Sequence, residues 1–228
     1  MANETTRASQ GPRVRSELAK LGNRVYDRKS WDQYDTGTIT VAGISELDFF
    51  KQPIGQGTTS IFASGTKTIA DTNMRDTTFV KGENMVVYYV SVQVGVVLGA
   101  AGISALAASM IPIQDMLTIQ GGILEITRAN DAIALQTPVF KCPAGGGINM
   151  NGLTSVSAVT VADNNLKAFG NGAPFSDSKL FLRRNPIVIR AQEAFGVKIR
   201  WGGTIDLLST VAIWAQVHLE GELWKEAL

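Results

Sequence analysis

Apolar residues that recur at every second position are the feature that most limits how this 228-residue chain can fold. Residues 90–96 read Val-Ser-Val-Gln-Val-Gly-Val, and in residues 211–219 the odd positions are Val, Ile, Ala, Val and Leu. Successive side chains of a strand point to opposite faces, so a period of two indicates a strand with one buried face. Both segments are therefore predicted to be strands that contribute one face to a core.

The longest uncharged stretch covers residues 84–114, which is 31 residues without a formal charge. About 20 apolar residues are enough for a transmembrane helix, but the alternation in residues 90–96 is typical of a strand. Glycines then interrupt the stretch at residues 99–102, and residues 103–110 predict a short helix that ends before Pro112. We expect a core strand, a turn and one short crossover helix rather than a membrane span.

Short strand-like segments punctuated by Gly, Pro and Asn fill the rest of the chain. This pattern predicts an all-β fold, a jelly-roll-type β-sandwich or barrel, with a bulge or bend at Glu220-Gly221. A chain of this length is commonly one domain with one core. The other predicted strands are 37–42, 58–63, 77–81, 116–120, 122–128, 138–142, 154–161, 180–183, 186–192, 195–201 and 211–224.

The N-terminal segment has a different character from the rest of the chain. Apolar residues lie at positions 14, 18, 21 and 25, a spacing that predicts an amphipathic helix from residue 12 to about 28. We expect a basic helical arm over residues 1–36 and a single jelly-roll domain over residues 37–228. The arm would face an anionic partner or remain a solvated terminus. Residues 1–30 contain the bases Arg7, Arg13, Arg15, Lys20, Arg24, Arg28 and Lys29 against the acids Glu4, Glu17 and Asp27.

Few residues of this chain have the chemistry that catalysis or metal binding requires. Cys142 is the single cysteine, which excludes an intrachain disulfide, and His218 is the single histidine. His218 lies on the outer face of its predicted strand, and no G-x-S-x-G motif is present for a Ser-His-Asp triad. We predict a solvated His218, no catalytic residue, no cofactor and no metal, so the chain is not expected to be an enzyme. A calcium ion held by loop carboxylates remains an alternative.

Several residues are instead candidates for contacts between chains. The glycine run after Cys142 lacks the Lys-Ser or Lys-Thr of a phosphate-binding loop and is expected to allow close approach of a neighbouring chain. An outward-facing tryptophan would anchor an interface. The candidates are Arg13, Arg15, Leu18, Leu21, Arg24, Val25, Gly145, Gly146, Gly147, Trp214 and Trp224.

Two segments carry a resemblance to a known class of proteins. LDFFKQPIGQGTTSIFASGTKTIADTNM (residues 47–74) and NPIVIRAQEAFGVKIRWGG (residues 185–203), with the ending HLEGELWKEAL, resemble jelly-roll coat proteins of tailless icosahedral bacteriophages. The resemblance covers most of residues 40–225. It implies a capsid subunit that assembles with copies of itself and with other virion proteins. The arm would reach neighbours, packaged nucleic acid or an internal membrane.

The resemblance also sets the expected location and the alternatives. The polar N-terminus lacks the apolar core of a secretory signal, so the chain is expected to be made in the host cytoplasm and to reside in the virion. No small-molecule substrate is expected. A phage spike, fibre or decoration protein, for which trimers are usual, is the first alternative, and surface carbohydrate binding would favour it. A β-sandwich carbohydrate-binding protein or enzyme is the alternative of another class.

Overall fold

The computed structural model describes the chain in ten stretches. They are residues 26–40, 43–62, 64–97, 111–129, 132–144, 149–152, 166–170, 179–182, 185–208 and 212–226. The predicted arm up to residue 25, the predicted crossover helix at 103–110 and the predicted strand at 154–161 lie outside these stretches. The candidate interface residues Gly145, Gly146 and Gly147 lie outside them as well.

One large antiparallel sheet is built around the C-terminal strand. Its order is β1-β12-β3-β10, and β9 pairs with β3 beside this path. Strand β12 lies between the two other long strands and pairs with both over almost its whole length. The strands are β1 (Tyr26–Ile39), β3 (Glu83–Val96), β9 (Leu180–Phe181), β10 (Ile187–Ile189) and β12 (Ile213–Glu226).

A second antiparallel sheet has the order β2-β11-β5-β6, and a small third sheet has the order β4-β8-β7. Among the described residues, one α-helix, α1 (Ile113–Gln120), and one 3₁₀ helix (Val139–Lys141) connect strands of these sheets. The second sheet contains β2 (Glu46–Phe49), β5 (Ile123–Arg128), β6 (Ala132–Pro138) and β11 (Phe195–Arg200). The third contains β4 (Ile111–Pro112), β7 (Asn149–Gly152) and β8 (Leu166–Gly170).

Inward faces of the five-stranded and four-stranded sheets share one hydrophobic core. The predicted alternation in the C-terminal strand is confirmed, because Ile213, Ala215, Val217 and Leu219 are fully buried. Ile199 of β11 is buried in the same cluster. Burying one such aliphatic side chain stabilises the fold by about 1.5 to 3 kcal/mol. The all-β class predicted from the period of two is therefore confirmed for the described residues, and residues 90–96 form part of β3 rather than of a membrane helix.

The predicted irregularity at Glu220-Gly221 is a β-bulge between β12 and β3. A Cβ atom built on Gly221 would lie 1.9 Å from the carbonyl oxygen of Val86, so no larger residue fits without moving the backbone. The bulge changes which residues face inward, and the next buried positions of the strand are Leu223 and Trp224.

The predicted boundary between arm and body at residue 36 needs correction. Residues 26–36 are not part of a helical arm, because they form the first three quarters of β1 and pair with β12 from Glu226 to Gln216. The inward face of this strand includes Gln33 and Asp35, both buried. Polar residues on the buried face hide the alternation that marks the other strands, so the segment does not look like a strand in the sequence.

Other differences concern short elements. The predicted strand at 116–120 belongs to helix α1, in which Asp115, Met116 and Ile119 lie on the buried side at helical spacing. The predicted strand at 138–142 contains the 3₁₀ helix, and the described parts of 58–63 and 77–81 form no strand. Strand β6 was not predicted, since most of its residues are exposed or half-buried.

Candidate functional site

The loop between β2 and β3 (residues 50–82, the β2–β3 loop) is held by one buried carboxylate. Asp71 accepts hydrogen bonds from the backbone N–H groups of Ser60 (2.7 Å), Ile61 (3.0 Å) and Thr68 (2.9 Å) and from the Thr59 hydroxyl (2.8 Å). Burial opposes the charged form, but these hydrogen bonds outweigh it, so the pKa of Asp71 lies below its usual value. The loop therefore has a fixed conformation around an ionised aspartate.

A buried ion pair fastens the same loop to β1. Lys67 Nζ lies 2.6 Å from Asp35 Oδ1, and the two side chains are only 7% and 0% exposed. Lys67 also donates to the carbonyl of Thr36, while Asp35 accepts from the Phe50 N–H group. Burial raises the pKa of Asp35 above its usual value, although the Lys67 charge and the hydrogen bonds act in the opposite direction. Sequence reasoning missed this pair, since neither residue belongs to a recognisable motif.

Four large apolar side chains in the described part of the β2–β3 loop are exposed to solvent, one of which is Val80 at 51%. Ile54 is 40%, Phe62 is 42% and Ile69 is 63% exposed. Because buried hydrogen bonds fix the loop backbone, these side chains are presented to solvent instead of folding into the core. Exposed apolar side chains that form a contiguous patch are typical of contact surfaces between chains, whereas single ones are ordinary.

His218 is held by two hydrogen bonds on the outer face of the five-stranded sheet. Its Nδ1 lies 2.9 Å from Asp32 Oδ2 and its Nε2 lies 3.1 Å from Gln216 Oε1. The Gln216 amide is oriented by its Nε2, which donates to Thr36 Oγ1 and to the Ala70 carbonyl. Both ring nitrogens of His218 therefore lie within hydrogen-bond distance of a side-chain oxygen.

The geometry at His218 bears on two predictions, namely the absence of a Ser-His-Asp triad and the solvation of the histidine. Ser91 is opposite His218 in the strand register, so a serine, a histidine and the carboxylate of Asp32 do meet on three strands. The Nε2 atom is bonded to Gln216, however, and is not available to take a proton from Ser91. The histidine side chain is 18% exposed, so the prediction of a freely solvated residue is wrong.

Beside His218 lies a cavity of about 210 Å³ that we call the outer-face pocket. Lys179 and Glu220 form an ion pair at 2.5 Å on one side of it. Tyr89 is the register partner of both Glu220 and Phe181, and the rings of Tyr89 and Phe181 stack with centroids 4.7 Å apart. The lining residues are Asp32, Ser91, Gln93, Ala144, Lys179, His218 and Glu220.

A larger cavity of about 300 Å³ opens where the β2–β3 loop meets the ends of the sandwich. Phe79 and Phe195 stack in its wall at 5.8 Å, and Lys29 lies over the Trp31 ring at 4.3 Å. Two of its charged lining residues, Lys225 and Glu83, form an ion pair at 3.3 Å. The cavity is thus lined by both aromatic and charged side chains.

Both tryptophans predicted as interface anchors are engaged within the chain. Trp214 donates from Nε1 to the Val96 carbonyl at 2.7 Å, and its ring occupies the space next to Gly95. Trp224 is 8% exposed and packs against Val86 and Val188. The candidates Arg13, Arg15, Leu18, Leu21, Arg24 and Val25 lie outside the described residues.

The remaining candidate groups show no reactive arrangement within the described ranges. Cys142 is buried, and burial raises the pKa of its thiol to about 12. Among the residues that the structure describes, no group of three or more His, Cys, Asp or Glu side chains is placed to hold a metal ion. In the same residues we find no helix with the length and apolarity needed to cross a bilayer.

No protein-family model matches the chain, and neither a curated protein nor a solved structure shows significant similarity to it.

Proposed function

We propose that this chain is a structural protein of a virus particle, a coat subunit folded as a single jelly roll that assembles with copies of itself. The observation that carries the proposal is the pairing scheme of its eight principal strands. These are, in chain order, β1, β2, β3, β5, β6, β10, β11 and β12.

A jelly roll is a long antiparallel hairpin wrapped into a roll. The hairpin pairs strand one with eight, two with seven, three with six and four with five. Wrapping adds the pairs eight with three and seven with four. The chain has β1 with β12, β2 with β11, β3 with β10 and β5 with β6, and it has β12 with β3 and β11 with β5. All six pairs fit this scheme, which is frequent in viral coat proteins and is also found in lectins and cupins.

The β2–β3 loop supports the assembly part of the proposal. Stable contacts between chains typically bury about 1,200 to 2,000 Å² and have apolar centres. The exposed Ile54, Phe62 and Ile69 provide apolar contact residues on a loop whose backbone is fixed by Asp71. A fixed loop loses little conformational entropy on association, so its contacts contribute more of their energy to binding.

The basic segment before β1 supplies the second contact in this proposal. Its bases include Arg13, Arg15 and Arg24, and it enters the fold at Tyr26, beside the end of β12. The segment would reach neighbouring subunits, packaged nucleic acid or the head groups of an internal membrane. Repeated weak contacts of this kind add up over a closed shell.

The proposal is tested by the mass of the full chain in solution at low and moderate salt, with electron microscopy of the same samples. A discrete trimer, pentamer, hexamer or closed particle supports it. A monomer at every accessible concentration overturns it. Ile69→Ser should weaken association, whereas the matched control Ile133→Ser, on exposed β6, should not. If the two substitutions weakened association equally, the β2–β3 loop would not be part of the contact between chains.

A further inference from the structure

The outer-face pocket carries an inference that goes beyond assembly. We propose that it binds one ring of a neutral saccharide, with Phe181 as the platform against which the ring packs. The hydrogen-bonding groups of the pocket, its charge and the neighbouring aromatic pair of Tyr89 and Phe181 support this proposal. It holds whether or not the chain is a coat protein.

The pocket contains neighbouring hydrogen-bond donors and acceptors that have no partner within the described part of the chain. Within the described part of the chain, the side chains of Ser91 and Gln93 have no hydrogen-bond partner, and both line the pocket. Glu220 uses only Oε2 in its contact with Lys179, which leaves Oε1 as an acceptor. Asp32 also lines the pocket, where its Oδ2 lies against His218 Nδ1, and its buried Oδ1 has no partner among the described residues. A ligand whose neighbouring groups both donate and accept, as sugar hydroxyls do, matches this set.

Charge in the pocket favours a neutral ligand over an ionic one. His218 Nδ1 faces Asp32, and Lys179 faces Glu220, so both carboxylates of the pocket already have a partner. An anionic ligand would have to displace a carboxylate from its partner, and a cationic ligand would have to displace His218 or Lys179. In either case one existing contact would be broken for each new ion pair formed, so an ionic ligand would gain no additional ion pair.

The aromatic border supplies the apolar part of the site. Phe181 is 48% exposed, and its ring is fixed by stacking on Tyr89 at an interplanar angle of 12°. Tyr89 is the register partner of Glu220, and Phe181 is two residues from Lys179, so the pair lies directly beside the polar groups. The C–H face of a sugar ring is apolar while its hydroxyl edge is polar, which is the division that this site presents.

The size of the cavity limits the ligand further. Its volume of about 210 Å³ lies below the range of roughly 300 to 1,000 Å³ of pockets that enclose drug-sized ligands. A single ring fits this volume, and the open side allows the rest of a longer chain to continue outwards. The expected ligand is therefore a terminal residue of a surface polysaccharide.

Saturation-transfer NMR of the full chain with glucose, galactose, mannose and N-acetylglucosamine, and with sialic acid as the anionic comparison, tests the proposal. We expect transfer to at least one neutral sugar and none to sialic acid. Phe181→Ala and Gln93→Leu should each reduce affinity by about tenfold or more. Phe140→Ala, which removes an exposed aromatic ring elsewhere, should leave affinity unchanged.

Two outcomes would overturn the proposal. One is the absence of saturation transfer to every neutral sugar. The other is sugar binding that does not depend on the pocket, either because it survives both Phe181→Ala and Gln93→Leu or because Phe140→Ala weakens it equally. The mass in solution of each variant is measured in parallel. Sugar binding by a protein that stays monomeric would support the saccharide site and overturn the coat proposal. Assembly without sugar binding would support the coat proposal and overturn the saccharide site.

Discussion

Replacing Asp71 by asparagine should destabilise the protein through the β2–β3 loop. Asparagine has the same shape, but one of its two terminal atoms is an N–H donor. In the wild type, Oδ1 accepts from the N–H groups of Ser60 and Ile61, and Oδ2 accepts from the N–H group of Thr68. The less costly orientation keeps the amide oxygen at Ser60 and Ile61 and points the new NH₂ group at the Thr68 N–H.

The magnitude follows from that single mismatch. A hydrogen bond to a charged group contributes about 1.5 to 3 kcal/mol, and a buried donor without a partner costs about 1 to 3 kcal/mol. Relaxation of the loop reduces the sum, so we expect a loss of about 3 kcal/mol for Asp71→Asn. A domain of this kind has a free energy of unfolding of about 5 to 15 kcal/mol. At about 2 to 4 °C per kcal/mol, the Tm should fall by roughly 6 to 12 °C.

Urea unfolding followed by tryptophan fluorescence measures this difference. Because the pKa of Asp71 is lowered in the folded state, its contribution is present above the usual Asp range and is lost as pH falls through the lowered value. The gap between wild type and Asp71→Asn should therefore persist from pH 7 to about 4 and narrow only below that. Asp76→Asn is the control, since Asp76 lies exposed in the same loop and its side chain accepts hydrogen bonds from the N–H group and the hydroxyl of the neighbouring Thr77.

A loss below about 0.5 kcal/mol for Asp71→Asn at pH 7, which is the usual effect of a surface change, would refute the reasoning. An equal loss in Asp76→Asn would refute it as well, because the effect would then reflect loop charge in general. A gap that widens as the pH falls would contradict the sign of the pKa shift at Asp71.

The bulge and the buried ion pair allow further predictions. Gly221→Ala places a methyl group 1.9 Å from the Val86 carbonyl, so it should cost several kcal/mol in urea unfolding, whereas Gly202→Ala, with nothing within 4 Å, should cost under about 1 kcal/mol. Similar values for the two glycine variants would argue against the bulge geometry. Lys67→Met leaves Asp35 buried without its cation and should cost about 3 to 5 kcal/mol, and adding Asp35→Asn should recover most of that loss. Because burial already raises the pKa of Asp35, the stability of Lys67→Met should fall as pH rises from about 4 to 7, and a pH-independent loss would count against a buried charge as the cause.

Residues with a strict apolar alternation were predictable from the sequence. The strands around residues 90–96 and 213–219 were correctly expected, and the bulge at Gly221 could be located because a glycine interrupts an otherwise continuous strand. In these segments the alternation of apolar residues in the sequence matches the alternation of buried and outer positions in the folded strand. One buried face and one outer face are enough to specify a strand without knowledge of its partners.

Strand β1 and helix α1 could not be predicted in this way. The inward face of β1 carries Gln33 and Asp35, whose burial depends on Asn73 and Lys67 from a loop more than 30 residues away in sequence. Helix α1 includes Asp115, which is buried because the Leu208 N–H group donates to it. A pattern of hydrophobicity contains no information about such distant partners.

The same limit applies to the candidate site. His218 was correctly placed on the outer face of its strand, but its two acceptors come from Asp32 on β1 and from Gln216 two residues away. Phe181 is placed beside Tyr89 by a two-residue strand. Residues brought together from four separate strands have no common spacing in the sequence, so only the strand register shows that they are neighbours.

The β2–β3 loop also explains how a polar strand can sit at the edge of the large sheet without pairing to other chains. An open edge strand is a template for uncontrolled association. Asn73 donates from Nδ2 to the Asp32 carbonyl and accepts at Oδ1 from the Tyr34 N–H group, so its amide occupies the place of a neighbouring peptide group. Backbone pairing at this part of β1 is thereby satisfied within the chain. In the proposed coat, copies would then associate through side chains such as the exposed Ile69 rather than through the backbone of β1.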